Sequence, residues 1–370
     1  MAATLKQIAA LTGLSIPTVH QILNNYSTRF AEATRTKVLS AAAELNYRPN
    51  ISARSLVTQR SFLVGVLFYG VNYPIVASFM RGVQTAVKGA GCTPIFLTHR
   101  NISEESENLQ SVLERRVDGL IVNAAVDPDG ATNATRLAKV HAGGLHVVEV
   151  FGQFVPGVPK VTLDYREAAR VATERLVAEG HRRIALLVRE HHGEAVGGRP
   201  SGRFWIAAEF CRGYEAVVRS SGLEPVMCVY PVDADDTRPN AHFLGAASVV
   251  PTLFADPATA PTAVVCYSVE AAEATVRCYE GVPHAVTCPL TVTGFGEIRP
   301  AVSHRVRVVS LPFPAERAGR LAVAALFDGL AGRAATDVVL GPEQQGDSDD
   351  VVPRPSRIRR PNKNGRSVGR

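Results

Sequence analysis

Residues 11–25 read LTGLSIPTVHQILNN. Just upstream, Thr4 and Gln7 form the T-x-x-Q pair of a capping box, which predicts a helix opening at Leu5. Leu5, Ile8, Ala9 and Leu11 make its apolar stripe. Gly13 ends it, because glycine enters the left-handed backbone of a tight turn without strain. Ser15 then caps a second helix, with Pro17 in its first turn, where a missing N–H costs nothing. In that helix Val19, Ile22 and Leu23 face inward at spacings of three and four. Thr18, His20, Gln21 and Asn24 face outward, too polar a set for a core helix.

A third helix is predicted over 32–45, with Val38, Leu39, Ala42 and Leu45 on its buried side. Three short helices, the first two joined by a glycine turn, describe a helix-turn-helix. A helix has the width of the DNA major groove, and polar side chains read base edges there. The alternative is a small bundle whose polar face is merely solvated. Charge separates the two in part. The 370-residue chain carries a formal net charge of +6, of which residues 1–60 hold +5 and residues 341–370 hold +3, leaving the middle at −2. A basic head on a nearly neutral body favours a polyanion partner.

Helical periodicity stops at Pro49, giving a domain over 1–49. The stretch NYRPNISARSLVTQRS follows, and within it a hinge is expected over 50–60. It is too short to hold a helix alone, so it reads as a linker that becomes helical against a surface. Leu56, flanked by Arg54 and Arg60, suits a wedge in a minor groove, or else packs on the next domain.

TLKQIAALTGLSIPTVHQILNN, TRTKVLSAAAELNYRPN and ARSL together resemble the LacI/GalR family of bacterial transcription regulators. The resemblance implies a homodimer on a pseudo-palindromic, double-stranded DNA operator, most often as a repressor. It places groove-facing roles on Ile16, Pro17, His20 and Gln21. It places backbone-positioning roles on Leu5, Ser15, Thr18 and Asn24, and further along on Arg29, Thr34, Tyr47 and Asn50. Leu56 becomes the minor-groove wedge, with Ala53 one turn before it against the partner's hinge. His20-Gln21 departs from the Ser-Arg that relatives often carry. Arginine favours guanine and glutamine pairs with adenine, so the operator is expected to differ there. Ala31 replaces the usual cap of the third helix.

The body, expected over 61–340, opens on the apolar run FLVGVLFYG, as a strand buried on both faces should. Helical stretches at 75–90, 103–116 and 132–142 alternate with CTPIFLT, VDGLIVNA and LHVVEVF. After KVTLDY a second series follows: a helix at 166–179, RRIALLV, a helix at 213–220, then VMCVYP, TAVVCYS and LTVTGF. Such alternation predicts α/β architecture with parallel doubly wound sheets. Two such lobes resemble the family's periplasmic-binding-protein-like domain, which holds a small-molecule effector in the cleft between them.

The family's polar cleft positions are altered here. Its Asp-Arg after VVEV falls on Phe151-Gly152, and its Arg before RGY falls on Phe210. Its Asn-Asp after VVC falls at Ser268-Val269, and its Asp after GF falls on Gly296. Tyr69 and Tyr73 are further candidates for the cleft wall. Either the effector is less polar than a free sugar, or the cleft has lost its ligand.

Segments 190–204 and 231–244, rich in Gly, Pro, His and Asp, read as surface loops. The tail over 341–370 has no periodicity and is expected to be disordered. Six scattered cysteines, none in a C-x-x-C pair, fit a reducing compartment. With no signal peptide or membrane span in view, the expected location is the cytoplasm. Neither G-x-x-x-x-G-K-[ST] nor G-x-S-x-G occurs, and His191-His192 lacks a third metal ligand nearby. No catalytic residue, metal or cofactor is expected. The other class of reading is a ligand sensor whose head mediates protein contacts.

Overall fold

The computed structural model describes residues 3–23, 30–47, 55, 58–70, 74–127, 131–189, 205–232, 240–282, 289–296 and 305–342. They divide into two compact units, with the boundary between Ser61 and Phe62. The expectations for Tyr73, His191-His192, the tail, most of the hinge and segments 190–204 and 233–239 lie outside the described residues.

The first unit holds α1 (Leu5–Thr12), α2 (Ile16–Leu23) and α3 (Glu32–Glu44). Its core is Ile8, Ala9, Val19, Ile22, Val38, Ala41 and Ala42. Two expected core residues are instead exposed: Leu11 is 52% exposed and Leu39 is 51%. Each is the neighbour in sequence of a buried stripe, and three short helices have only one inward face apiece. Ala41 takes the place assigned to Leu39, since a small residue lets α3 approach the other two.

The second unit contains two parallel sheets. Chain order in its first lobe is β1 (Leu63–Tyr69), α4 (Pro74–Gly89), β2 (Thr93–His99), α5 (Ile102–Glu114), β3 (Gly119–Val122), α6 (Ala134–Ala142), β4 (His146–Val150) and β5 (Lys160–Leu163). The chain then crosses to the second lobe. There it forms α7 (Tyr165–Ala178), β6 (Ile184–Arg189), α8 (Trp205–Ser220), β7 (Val226–Tyr230), α9 (Ala241–Leu253), β8 (Ala263–Cys266), α10 (Val269–Glu280), β9 (Leu290–Phe295) and β10 (Val306–Leu311). It returns through Pro312-Phe313-Pro314 to α11 (Ala315–Leu330) and β11 (Val338–Leu340). Strand order is β11-β5-β4-β3-β1-β2 in one sheet and β10-β9-β8-β6-β7 in the other. Every paired strand is parallel, and β6, β8 and β9 are buried on both faces.

Two boundaries differ from the sequence reading. Helix α8 starts at Trp205, eight residues before the expected 213, because the Gly- and Arg-rich run ahead of it hides the stripe of Trp205, Phe210 and Tyr214. Helix α9 starts at Ala241, inside a stretch read as loop, and its His242 is buried. The elements not anticipated at all are α9, α10, β10, α11 and β11, and the three helices among them are rich in alanine.

Candidate nucleic-acid interface and ligand cavity

In the first unit the local chemistry agrees with the sequence. Thr4 Oγ1 accepts from Gln7 N at 3.4 Å, and Gln7 Oε1 accepts from Thr4 N at 2.8 Å. Gly13 has φ +67° and closes α1 in the left-handed conformation. Ser15 Oγ accepts from Thr18 N at 3.3 Å and lies 2.8 Å from Thr18 Oγ1, which caps α2. Helix α2 then buries Val19 and Ile22, so Ile16, Pro17, His20 and Gln21 fall together on its open side. Ile16 is 44% exposed, an apolar contact held out beside polar neighbours.

Ser15 is exposed and Thr18 and Thr34 are half-buried, whereas Leu5 and Tyr47 pack against the head's core. Burial raises the Tyr47 phenol. Ala31 caps α3 without any side-chain hydrogen bond. Asn24, Arg29, Asn50, Ala53 and Leu56 lie outside the described residues.

The second unit holds a cavity of about 520 Å3 between its lobes. It opens where the strands end: Tyr69 closes β1, Asn123 follows β3, Phe151 follows β4, Arg189 closes β6, Ser268 follows β8 and Gly296 follows β9. Carboxyl ends of strands are where doubly wound folds bind ligands. Of the cleft residues read from the sequence, Tyr69, Phe151, Ser268, Val269 and Gly296 line this cavity, and Gly152 does not. Neither does Phe210. It is 1% exposed and stacks edge-on against Phe295 at 4.4 Å and Tyr267 at 5.7 Å, so it backs the wall rather than forming it. An aromatic ring one helical turn from the cavity is drawn into the core with its neighbours.

Buried carboxylates, which the sequence reading passed over, hold the cavity's loops. Glu149 accepts from the backbone N–H of Phe154 at 2.9 Å and of Val155 at 3.0 Å. This fixes the turn on which Phe151 adopts φ +53°, a conformation that favours glycine. A Cβ on Gly152 would lie 2.6 Å from Glu149 Oε1, so a larger residue there would displace this carboxylate. Glu105 accepts from Ala125 N at 3.3 Å and from Asn133 Nδ2 at 3.1 Å, and so pins the loop carrying Asn123 and Ala124. Burial pushes its carboxyl up to about 7, against those hydrogen bonds, which lower it. Burial likewise raises Glu149. An acid at i, with Leu109 at i+4 and Val112 at i+7, sits on the apolar stripe of α5, and that misplacement was the available signal.

Two family profiles match the chain: bacterial regulatory proteins, lacI family, over residues 4–50, and periplasmic binding proteins and sugar binding domain of LacI family, over residues 62–308. The chain belongs to the LacI family. It is a DNA-binding transcriptional regulator with a helix-turn-helix head and a periplasmic-binding-protein-like body. The transcriptional repressor PurR of Photobacterium profundum is 28% identical over 329 residues, covering 88% of this chain and 91% of that protein. The regulator GalR of Escherichia coli is 30% identical over 210 residues, 56% of this chain and 59% of its own length. Among solved structures, the lac repressor dimer bound to operator and the anti-inducer ONPF superposes with a TM-score of 0.68 at 20% identity, covering 93% of this chain and 97% of that one. The CelR–cellobiose complex gives a TM-score of 0.60 at 22% identity, covering 92% and 98%. Among the described residues no helix is long and apolar enough to cross a membrane.

Proposed function

We propose that this LacI-family regulator is a repressor that binds a pseudo-palindromic operator as a homodimer in the cytoplasm, under the control of a small molecule held between its lobes. The observation that carries the reading is the open face of α2. Ile16, Pro17, His20 and Gln21 are presented together on a basic head, and the opposite face of the same helix is buried. Base reading falls to these four side chains, with Gln21 paired to adenine and Ile16 against a thymine methyl. Backbone contacts fall to Leu5, Ser15, Thr18, Asn24, Arg29, Thr34, Tyr47 and Asn50. Leu56 enters the minor groove, beside Ala53 of the hinge.

The body supports control by a ligand. The cavity persists although the family's charged positions are replaced, and Tyr69, Phe151, Ser268 and Gly296 are on its wall. Closure of the lobes on an effector would shift the dimer and its hinges, a coupling of about 1–3 kcal/mol.

A mobility-shift selection from a palindromic library tests the DNA reading. Nanomolar binding to an enriched operator at moderate salt is expected. Failure to enrich any sequence would reject it.

A further inference from the structure

The walls of the cavity are chemically unequal. The first lobe offers mainly Phe68, Ile75, Val76, Val126, Phe151 and Phe154, with Tyr69, Ser78, Arg81 and Asn123 as its polar side chains. Its Asn123 is already engaged, with Nδ2 donating to Val150 O at 3.0 Å. The rings of Phe68 and Phe151 meet edge-on at 5.9 Å, and both are locked by Phe79 behind them. A ligand with hydroxyl groups around its whole perimeter would leave several of them without partners against this wall, which costs affinity. A flat ring loses nothing there.

The second lobe is a wall of donors. Arg189, 9% exposed, lines it from the last residue of β6. A guanidinium presents its N–H donors in a planar fork that matches a carboxylate. Trp205, 7% exposed, lines the same wall, and no described residue accepts its indole N–H. Tyr165 stands edge-on to Trp205 at 5.6 Å and to Phe313 at 5.5 Å, and its hydroxyl has no hydrogen-bond partner among the described residues. The amino ends of α8 and α10 in this lobe, and of α4 and α11 on the opposite side, all reach the cavity, and each brings the positive end of a helix dipole. Around the cavity as a whole, three lining arginines, Arg189 of this lobe and Arg81 and Arg317 of the opposite side, stand with two acids. Of these acids, Glu316 is held by Arg320 at 2.9 Å and Arg81 at 3.9 Å. Glu270 is the remaining acid, and burial raises its carboxyl above the usual range.

We propose that the effector of this cavity is a planar aryl carboxylate, with its ring against Phe68 and Phe151 and its acidic group toward Arg189, Trp205 and Tyr165 of the second lobe. The proposal rests on the reading of the cavity as an effector site. A free sugar is disfavoured by the first wall, and a cationic ligand by the arginines and helix amino ends around the cavity.

The test is calorimetric titration of the full chain with four probes: indole-3-carboxylate, indole, tryptamine and glucose. Indole-3-carboxylate should bind saturably and at least tenfold more tightly than indole. Arg189→Gln should remove that advantage, Arg189→Lys should restore part of it, and Trp205→Phe should weaken the acid more than the parent ring. Glu270→Gln should tighten the acid by removing a like charge. Tighter binding of tryptamine or glucose, or no saturable binding of the acid to the wild-type chain, would overturn the proposal. Operator binding measured on the same preparations separates the two readings. Sequence-specific DNA binding without a response to aryl acids ends this inference alone, whereas absence of sequence-specific DNA binding ends the regulator reading.

Discussion

In the proposed reading, operator choice turns on Gln21. Its amide matches the N6 and N7 edge of adenine, whereas the arginine common at this position in the family matches guanine. Gln21→Arg should therefore move the preferred base at one half-site position from adenine to guanine. Gln21→Ala should lower affinity for the selected operator by about 1–3 kcal/mol per half-site with little change on unrelated DNA. Competitive mobility shifts on single-base operator variants measure both.

At the same scale, Glu105 gives the body a pH signature. Its folded carboxyl titrates at about 7 against an ordinary 4.5, so the folded state holds a proton that the unfolded chain releases. Its unfavourable contribution is absent below the unfolded value, grows as pH rises through that window, and reaches about 3 kcal/mol above it. Glu105→Gln should thus be nearly neutral near about pH 4.5 and stabilising near about pH 8, when denaturant midpoints of the body are compared. A difference that did not change with pH would refute this.

Among the elements, α4 and α11 approach each other through glycine. A Cβ on Gly82 would sit against the Glu316 carbonyl oxygen, and one on Gly319 against the Phe79 carbonyl oxygen, both too close for a carbon atom. Both helices also contribute side chains to the cavity, so this crossing sets the position of one wall. Gly82→Ala should lower the stability of the body by about 2–3 kcal/mol, read from denaturant unfolding, and should weaken any bound effector. The hinge carries its own expectation. Leu56→Ala should weaken operator binding more than binding to random DNA, because a wedge contributes only where the groove is opened. Equal losses on both DNAs would reject the wedge.

For the whole molecule, the distribution of charge matters more than its total. A head at +5 on a body near neutrality should bind DNA with steep salt dependence. Operator affinity should fall roughly a thousandfold between about 50 and about 200 mM salt, through displaced counterions. Effector affinity, set inside a cavity, should change far less over the same range. Titrating both on one preparation checks the contrast, and a flat salt response for DNA would argue for a head that contacts protein instead.

Much of this architecture was legible from local signals. The capping box at Thr4, the turn at Gly13 and the stripe of Val19 and Ile22 act within one or two helical turns, so they read directly from the chain. The same holds for the buried strands, whose apolar runs need no partner to be recognised. What the chain did not disclose depends on contacts distant in sequence. Leu11 and Leu39 have the composition of core residues, and only the packing of three helices puts them outside. Phe210 lies in the right stretch for a cleft residue, yet its contact with Phe295 turns it into the wall behind. Glu105 shapes the cavity through a backbone group 20 residues away. Periodicity records which side of an element is apolar; it does not record which neighbour that side meets. The two lobes, their paired sheets and the donor-rich face of the cavity come from those meetings, because burial energy depends on what each surface is placed against.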